Sequence, residues 1–207
     1  VTMHLLQIYI PGIPDFIKKA LSLGGTGGQV FFLCSGFGLY LSQKKQYLNF
    51  SQFVYRRMRK IYIPYIIVVL ISSIFPFMYS GEDKFEALLS HIFLYKMFVG
   101  KYEETFGGQL WFISTMFQLY ILFIPLCFIK EKLGNKLFEA ICLGVSVIWW
   151  LLTAWADIAN ERIWGSFCLQ YLWEFALGMI IADYLSKGKE IKVTRNCIIV
   201  SAVFGTS

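Results

Sequence analysis

Residues 61–79 and 110–129 contain no charged side chain. Each run is about as long as the ~20 residues with which a helix crosses the hydrocarbon core of a bilayer. Three further runs follow the pattern less cleanly. Residues 24–42 are uncharged but begin glycine-rich, 140–156 are uncharged with Glu139 just ahead, and 163–185 read as a span interrupted by Glu174. Residues 88–99 are apolar but short and hold His91 and Lys96, so they read as an interfacial or re-entrant helix. Membrane strands would show ~10-residue alternation, and the chain does not. A helix pairs its backbone N–H and C=O groups within one segment, as a hydrocarbon environment requires. The expected fold is all-α, a polytopic transmembrane helix bundle. It has about five whole spans and a partial one at each end, in 3–10 and 197–204. The expected organisation is a single membrane domain over 1–207, truncated at both ends, and the opening residues lack the basic region and cleavage site of a signal peptide.

Composition agrees. Of 207 residues, 57% are hydrophobic and 15% charged, against roughly 25% charged in soluble domains; mean hydropathy is +0.59. The charges also sort by side. Lys44, Lys45, Arg56, Arg57, Arg59 and Lys60 share one connection; Lys130, Lys132 and Lys136 share the next connection on that side; Lys187, Lys189, Lys192 and Arg195 share a third. The alternate connections carry most of the acids: Asp15, Glu82, Asp83, Glu86, Glu103, Glu104, Asp157 and Glu161. Cytoplasmic loops carry an excess of Lys and Arg, so the basic connections are expected to face the cytoplasm of a multi-pass protein of the cell (inner) membrane. The net charge of +6 is therefore mostly topology, and no nucleic-acid partner is expected. The five cysteines have no metal-like spacing and read as helix-packing residues, so no metal site is expected.

Few groups remain that can do chemistry. Arg56, Arg57 and Arg59 stand where a basic connection leads into a span, with Pro64 just inside it. Juxtamembrane basic residues usually anchor orientation, but arginine forks also bind phosphate bidentately; both readings stay open. Ser35 lies in Phe31-Phe32-Leu33-Cys34-Ser35-Gly36-Phe37 after a glycine-rich stretch. No Gly-Lys-Ser/Thr follows and no Gly-x-Ser-x-Gly frames the serine, so neither a phosphate loop nor a nucleophile elbow is present. Small residues for close helix packing is the simpler reading. His4 and Glu174 are ionisable groups inside apolar runs, costly to keep there and so candidates for function.

These stretches, in this order, resemble acyltransferase family 3, polytopic bacterial enzymes that acylate polysaccharides, lipid-linked sugars and nodulation factors. His4 is similar to the family's histidine near the end of the first span. Phe31 to Phe37, Arg56 to Tyr65, Leu110 to Pro125 and, more weakly, Trp173 to Gly178 resemble its later stretches. The family's arginine ahead of that histidine would fall before Val1, and Met116 and Phe117 stand where members often carry acids. The resemblance implies a membrane O-acyltransferase. It would move an acyl group, expected to be acetyl, from acyl-CoA to a hydroxyl of a cell-surface polysaccharide or lipid-linked sugar. His4 would be the catalytic base, Arg56, Arg57 and Arg59 would hold the donor, and Ser35, Trp111 and Glu174 would have substrate or structural roles. Acyl-CoA enters as substrate, with no bound cofactor; the other partners are the acceptor glycan and the lipid bilayer.

Two other classes compete. A transporter or flippase would use His4 and Glu174 as polar pathway residues, but it predicts matching helix interruptions in two halves, and the sequence shows no such symmetry. A non-catalytic membrane assembly subunit would not use acyl-CoA.

Overall fold

The computed structural model describes residues 27–75, 81, 83–159 and 161–188. His4 and both terminal apolar stretches lie outside the described residues. All the regular structure among the described residues is helical, with no strand. Helix α1 is Gly27–Lys45. Helix α2, Phe50–Arg57, starts at a capping box in which Asn49 accepts the Gln52 N–H (2.9 Å) and Gln52 accepts the Asn49 N–H (3.4 Å). Two free amides at the helix start are thereby satisfied reciprocally. A π-turn over Met58–Tyr62 leads directly into α3, Ile63–Ile74. Pro64 accounts for that turn: it has no N–H for the Lys60 carbonyl, and its ring crowds that carbonyl, so the ladder must widen. The apolar run that begins at Ile61 thus opens inside the π-turn and continues as α3, so that α2, the turn and α3 form one jointed rod over 50–74.

Helix α4, Lys84–Ile92, is followed by single 3-10 turns at Lys96–Phe98, Gly100–Tyr102 and Gly108–Leu110. Helix α5, Trp111–Trp155, is the one described helix long and apolar enough to cross a membrane. It is broken at Gly134, whose φ of 76° and ψ of 167° are not helical. Glycine alone adopts such angles without strain. The cross-contacts show that the break is a reversal. Thr115 and Gln118 on the first arm bond to Ser166 and Cys168, and Ser146 on the second arm bonds to Leu169 and Trp173, all near one end of the molecule. Lys130 and Asn135 both meet Asp183 at the other end. The arms 111–133 and 135–155 therefore form an antiparallel hairpin, and the basic connection expected between two spans shrinks to Gly134 itself.

Helix α6, Arg162–Gly165, and a 3-10 turn at Cys168–Tyr171 precede α7, Leu172–Ser186. The apolar run at 163–185 is thus not one helix. Gln118 Oε1 accepts the Cys168 N–H at 3.1 Å and Thr115 Oγ1 donates to the Ser166 carbonyl, so side chains of α5 bond to backbone groups in this irregular lead-in. Helix α7 lies parallel to α1, with Phe32 beside Tyr171, Gly36 beside Phe175 and Tyr40 beside Asp183. Contact is backbone to backbone. A Cβ on Gly36 would overlap the Phe175 carbonyl, and one on Gly178 would overlap the Leu33 carbonyl. Small residues permit this approach. The main core runs along this seam through Phe32, Leu39, Phe53, Phe123, Phe138, Phe175 and Met179. Outward, α3 exposes Ile63, Ile67, Val68, Leu70, Ile71 and Ile74, and α5 exposes Ile121, Phe128, Ile148, Leu151 and Trp155. Contiguous apolar surface of this extent marks contact with an apolar partner.

Candidate functional site

The three arginines of the cluster stand in different surroundings. Arg56 is exposed and donates to Gln46 Oε1 (3.0 Å). Arg59 is exposed and lies over the Tyr55 ring, 5.9 Å from its centroid. Arg57, one helical face away, turns inward. Its guanidinium lies 5.6 Å from the Phe53 ring and 6.0 Å from the Tyr120 ring, and its Nε is buried with no hydrogen-bond partner among the described residues. A buried donor left unpaired costs roughly 1–3 kcal/mol, more when charged, so its retention is informative.

Ser35 meets Arg57 at Tyr120. The serine hydroxyl donates to Met116 Sδ (3.7 Å), and both it and the Arg57 charge act on the Tyr120 hydroxyl. Tyr62 closes one side, edge-on to Phe117. The Phe31 to Phe37, Arg56 to Tyr65 and Leu110 to Pro125 stretches therefore converge on one point, roughly midway along α1 and the first arm of α5. Tyr120 was not among the residues singled out for the site. Its signal was its place four residues after Met116, which puts both on the helix face that Ser35 touches. Met116 and Phe117, where acids were expected, line the same point.

Trp111 lies elsewhere. By the 1.5 Å rise of a helix, it is ~14 Å from Tyr120 along the first arm of α5, toward the end that carries the acidic connections. There it forms part of a cleft of about 660 Å³ with Glu103, Glu104, Glu161, Arg162 and Tyr171. Trp111 and Tyr171 have ring centroids 5.9 Å apart and planes 30° from parallel, and Arg162 lies 6.0 Å from the Trp111 ring. Glu174 is 4% exposed, buried at the start of α7 beside Trp173; its Oε2 has no partner among the described residues. The structure does not join it to Arg57 and Ser35.

Two ionised or polar centres were underrated in the sequence. Asp183 on α7, 2% exposed, holds the basic end together. It takes Lys187 Nζ (2.6 Å), Asn135 Nδ2 (3.0 Å) and Lys130 Nζ (3.4 Å), and Lys130 also donates to the Tyr40 hydroxyl (3.0 Å). Three helices and the Gly134 reversal thus share one carboxylate. His91, on α4 and outside the one described helix long enough to cross a membrane, is fully buried. Its Nδ1 pairs with the Tyr65 hydroxyl (2.9 Å) and its Nε2 with the Thr105 carbonyl (3.1 Å). Burial first and the Lys96 charge second hold its pKa down to about 3. Neutral and doubly bonded, it is built as a structural strut. Among the described residues no group of His, Cys, Asp and Glu could hold a metal ion.

Comparison with known proteins gives one match. No curated protein and no solved structure matches the chain. A family model described as an acyltransferase domain, that of acyltransferase family 3, matches residues 1–207. The convergence of three of its sequence stretches on Tyr120 gives that match a physical basis, and the chain belongs to this membrane-associated acyltransferase family.

Proposed function

We propose that the chain works as a multi-pass O-acyltransferase of the cell membrane, moving an acyl group from acyl-CoA to a hydroxyl of a polysaccharide or lipid-linked sugar. The observation that carries this reading is Arg57: a charged fork turned into the protein, with a buried Nε that no described residue satisfies. Phosphate and thioester oxygens are the acceptors such a donor fits. Its location supports a cytoplasmic donor, because α2 runs inward from the basic end, where Arg56 and Arg59 remain at the surface. The apolar exteriors of α3 and α5 support several membrane crossings. In this reading the acceptor oxygen attacks the thioester carbonyl carbon. The C–S bond breaks, the CoA thiolate leaves, and the hydroxyl proton passes to His4. Such general-base assistance contributes typically 10²–10⁴-fold.

The test is made in the complete protein after checking insertion. His4→Ala abolishes transfer and leaves acyl-CoA affinity within about threefold. Arg57→Ala weakens acyl-CoA binding by tenfold or more, and Arg57→Lys restores it only in part, because lysine offers a point charge without a fork. Full transfer by a correctly inserted His4→Ala variant removes the catalytic assignment. Unchanged donor affinity in Arg57→Ala returns that arginine to an anchoring role.

A further inference from the structure

We propose that the cleft at the acidic end, walled by Trp111 and Tyr171 and rimmed by Glu103, Glu104 and Glu161, binds the saccharide acceptor and selects uncharged or amino sugars over anionic ones. This rests on the acyltransferase reading and adds to it the place and the charge class of the acceptor. The cleft, at about 660 Å³, falls within the ~300–1,000 Å³ of small-molecule sites. A sugar ring is amphipathic: its C–H faces are apolar and its rim carries hydroxyls. The paired rings of Trp111 and Tyr171, 5.9 Å apart, offer the apolar body with a polar tip that suits such a surface. Ionised carboxylates are acceptors only, each with two oxygens; they take hydroxyl or ammonium protons and offer none in return.

The charge pattern decides the class. Among the described lining residues, three carboxylates face one guanidinium, that of Arg162, which lies at the Trp111 ring. Lys96 is not part of the lining: buried, it donates from Nζ to the Thr105 and Gly107 carbonyls at 3.4 Å each, and its charge offsets part of that of Glu103 and Glu104. The Glu104 carboxylate sits where a Cβ on Gly108 would be, so a glycine makes room for it. A uronate or phosphate brought here meets like charge, which opposes binding. The position also suits the reaction. The cleft and the Arg57–Tyr120 point lie on one helix arm, with Phe32 and Phe112 packed between α1 and that arm.

The experiment titrates the complete, purified protein with three probes: maltotriose, a glucosamine trimer and trigalacturonate, followed by ligand-observed NMR. Acyl-CoA binding is measured in the same samples. The neutral and amino trimers bind at least tenfold more tightly than trigalacturonate. Trp111→Ala weakens maltotriose at least tenfold, while Trp111→Phe, which keeps an aromatic wall and guards against misfolding, weakens it by less than threefold. Replacing the acids together, as Glu103→Gln, Glu104→Gln and Glu161→Gln, brings trigalacturonate within threefold of maltotriose. Equal binding of all three trimers, absence of binding by any, or an unchanged preference in the triple variant overturns the proposal. Saccharide binding with no acyl-CoA binding leaves this cleft standing and removes the acyltransferase reading; the reverse result removes the cleft alone.

Discussion

His91 shows how far one side chain can be read from its surroundings. The Thr105 carbonyl can only accept, so Nε2 carries a hydrogen, and in the neutral ring Nδ1 is then left to accept from the Tyr65 hydroxyl. Its ordinary pKa of ~6.5 falls to about 3 in the folded protein. A depressed histidine pKa means that the unfolded chain takes the proton first. The His91 contribution is therefore complete above about pH 6.5 and is lost progressively as pH falls toward about 3. Thermal melts from pH 7 to pH 5 check this. Against the native protein, His91→Asn is less stable by roughly 1–3 kcal/mol at pH 7 and has a shallower pH slope below 6.5. Parallel slopes in the two proteins refute the assignment. The sequence showed a histidine in a short apolar run but not the tyrosine and the loop that close around it. Those partners lie 26 and 14 residues away, beyond any local pattern.

Among the elements, the α1–α7 seam explains why two sequence stretches of the family look as they do. The glycine of Ser35-Gly36-Phe37 gives way to the Phe175 backbone, and the glycine of Trp173 to Gly178 gives way to the Leu33 carbonyl. Each is small because the other helix touches it. Gly36→Ala and Gly178→Ala each force the helices apart along this line, and each costs about 1–3 kcal/mol, the usual range for overpacking, or more. Gly144→Ala, which meets nothing within 4 Å, is neutral or slightly stabilising, since alanine is the better helix former. Detergent-resistant melting of the three variants ranks them; equal melting temperatures contradict the seam. Helix packing was legible as a role for Gly36, but its pairing with α7 was not, since nothing local links positions so far apart. The Gly134 reversal was similarly hidden. The basic residues around it predicted a loop, whereas Lys130, Lys132 and Lys136 all sit within helix and only the glycine turns.

For the whole molecule, the helix directions agree with the charge sorting. Chain runs from the acidic to the basic end in α1, returns in α2 and α3, descends and ascends in the two arms of α5, and descends again in α7. In intact cells, single cysteines replacing Lys45 and Lys132 on a background lacking the native cysteines remain shielded from an impermeant reagent, and those replacing Glu103 and Asp157 react. Labelling at 132 with protection at 157 inverts the orientation and leaves the donor site on the wrong side. Charge asymmetry made this much readable from the sequence because it is additive and local. The candidate site was readable in its parts: Ser35, Arg57 and Trp111 stood out from the sequence. Their distribution between two separate places was not, because it depends on which way Arg57 turns at the π-turn and on how far Trp111 lies along its helix.

Tyr40 and Asp183, facing each other across the parallel pair, are separated by 143 residues. Translation at ~5–20 residues per second takes on the order of ten seconds to cover that distance. Throughout that time α1 has left the ribosome with its glycine groove empty and its eventual partner unmade. The hairpin of α5 can close as soon as its own second arm is synthesised, but the α1–α7 seam cannot close until α7 has been made. A nascent chain stalled before residue 172 would thus be a half-built protein with a vacant groove, the form that quality-control proteases and neighbouring membrane segments meet first.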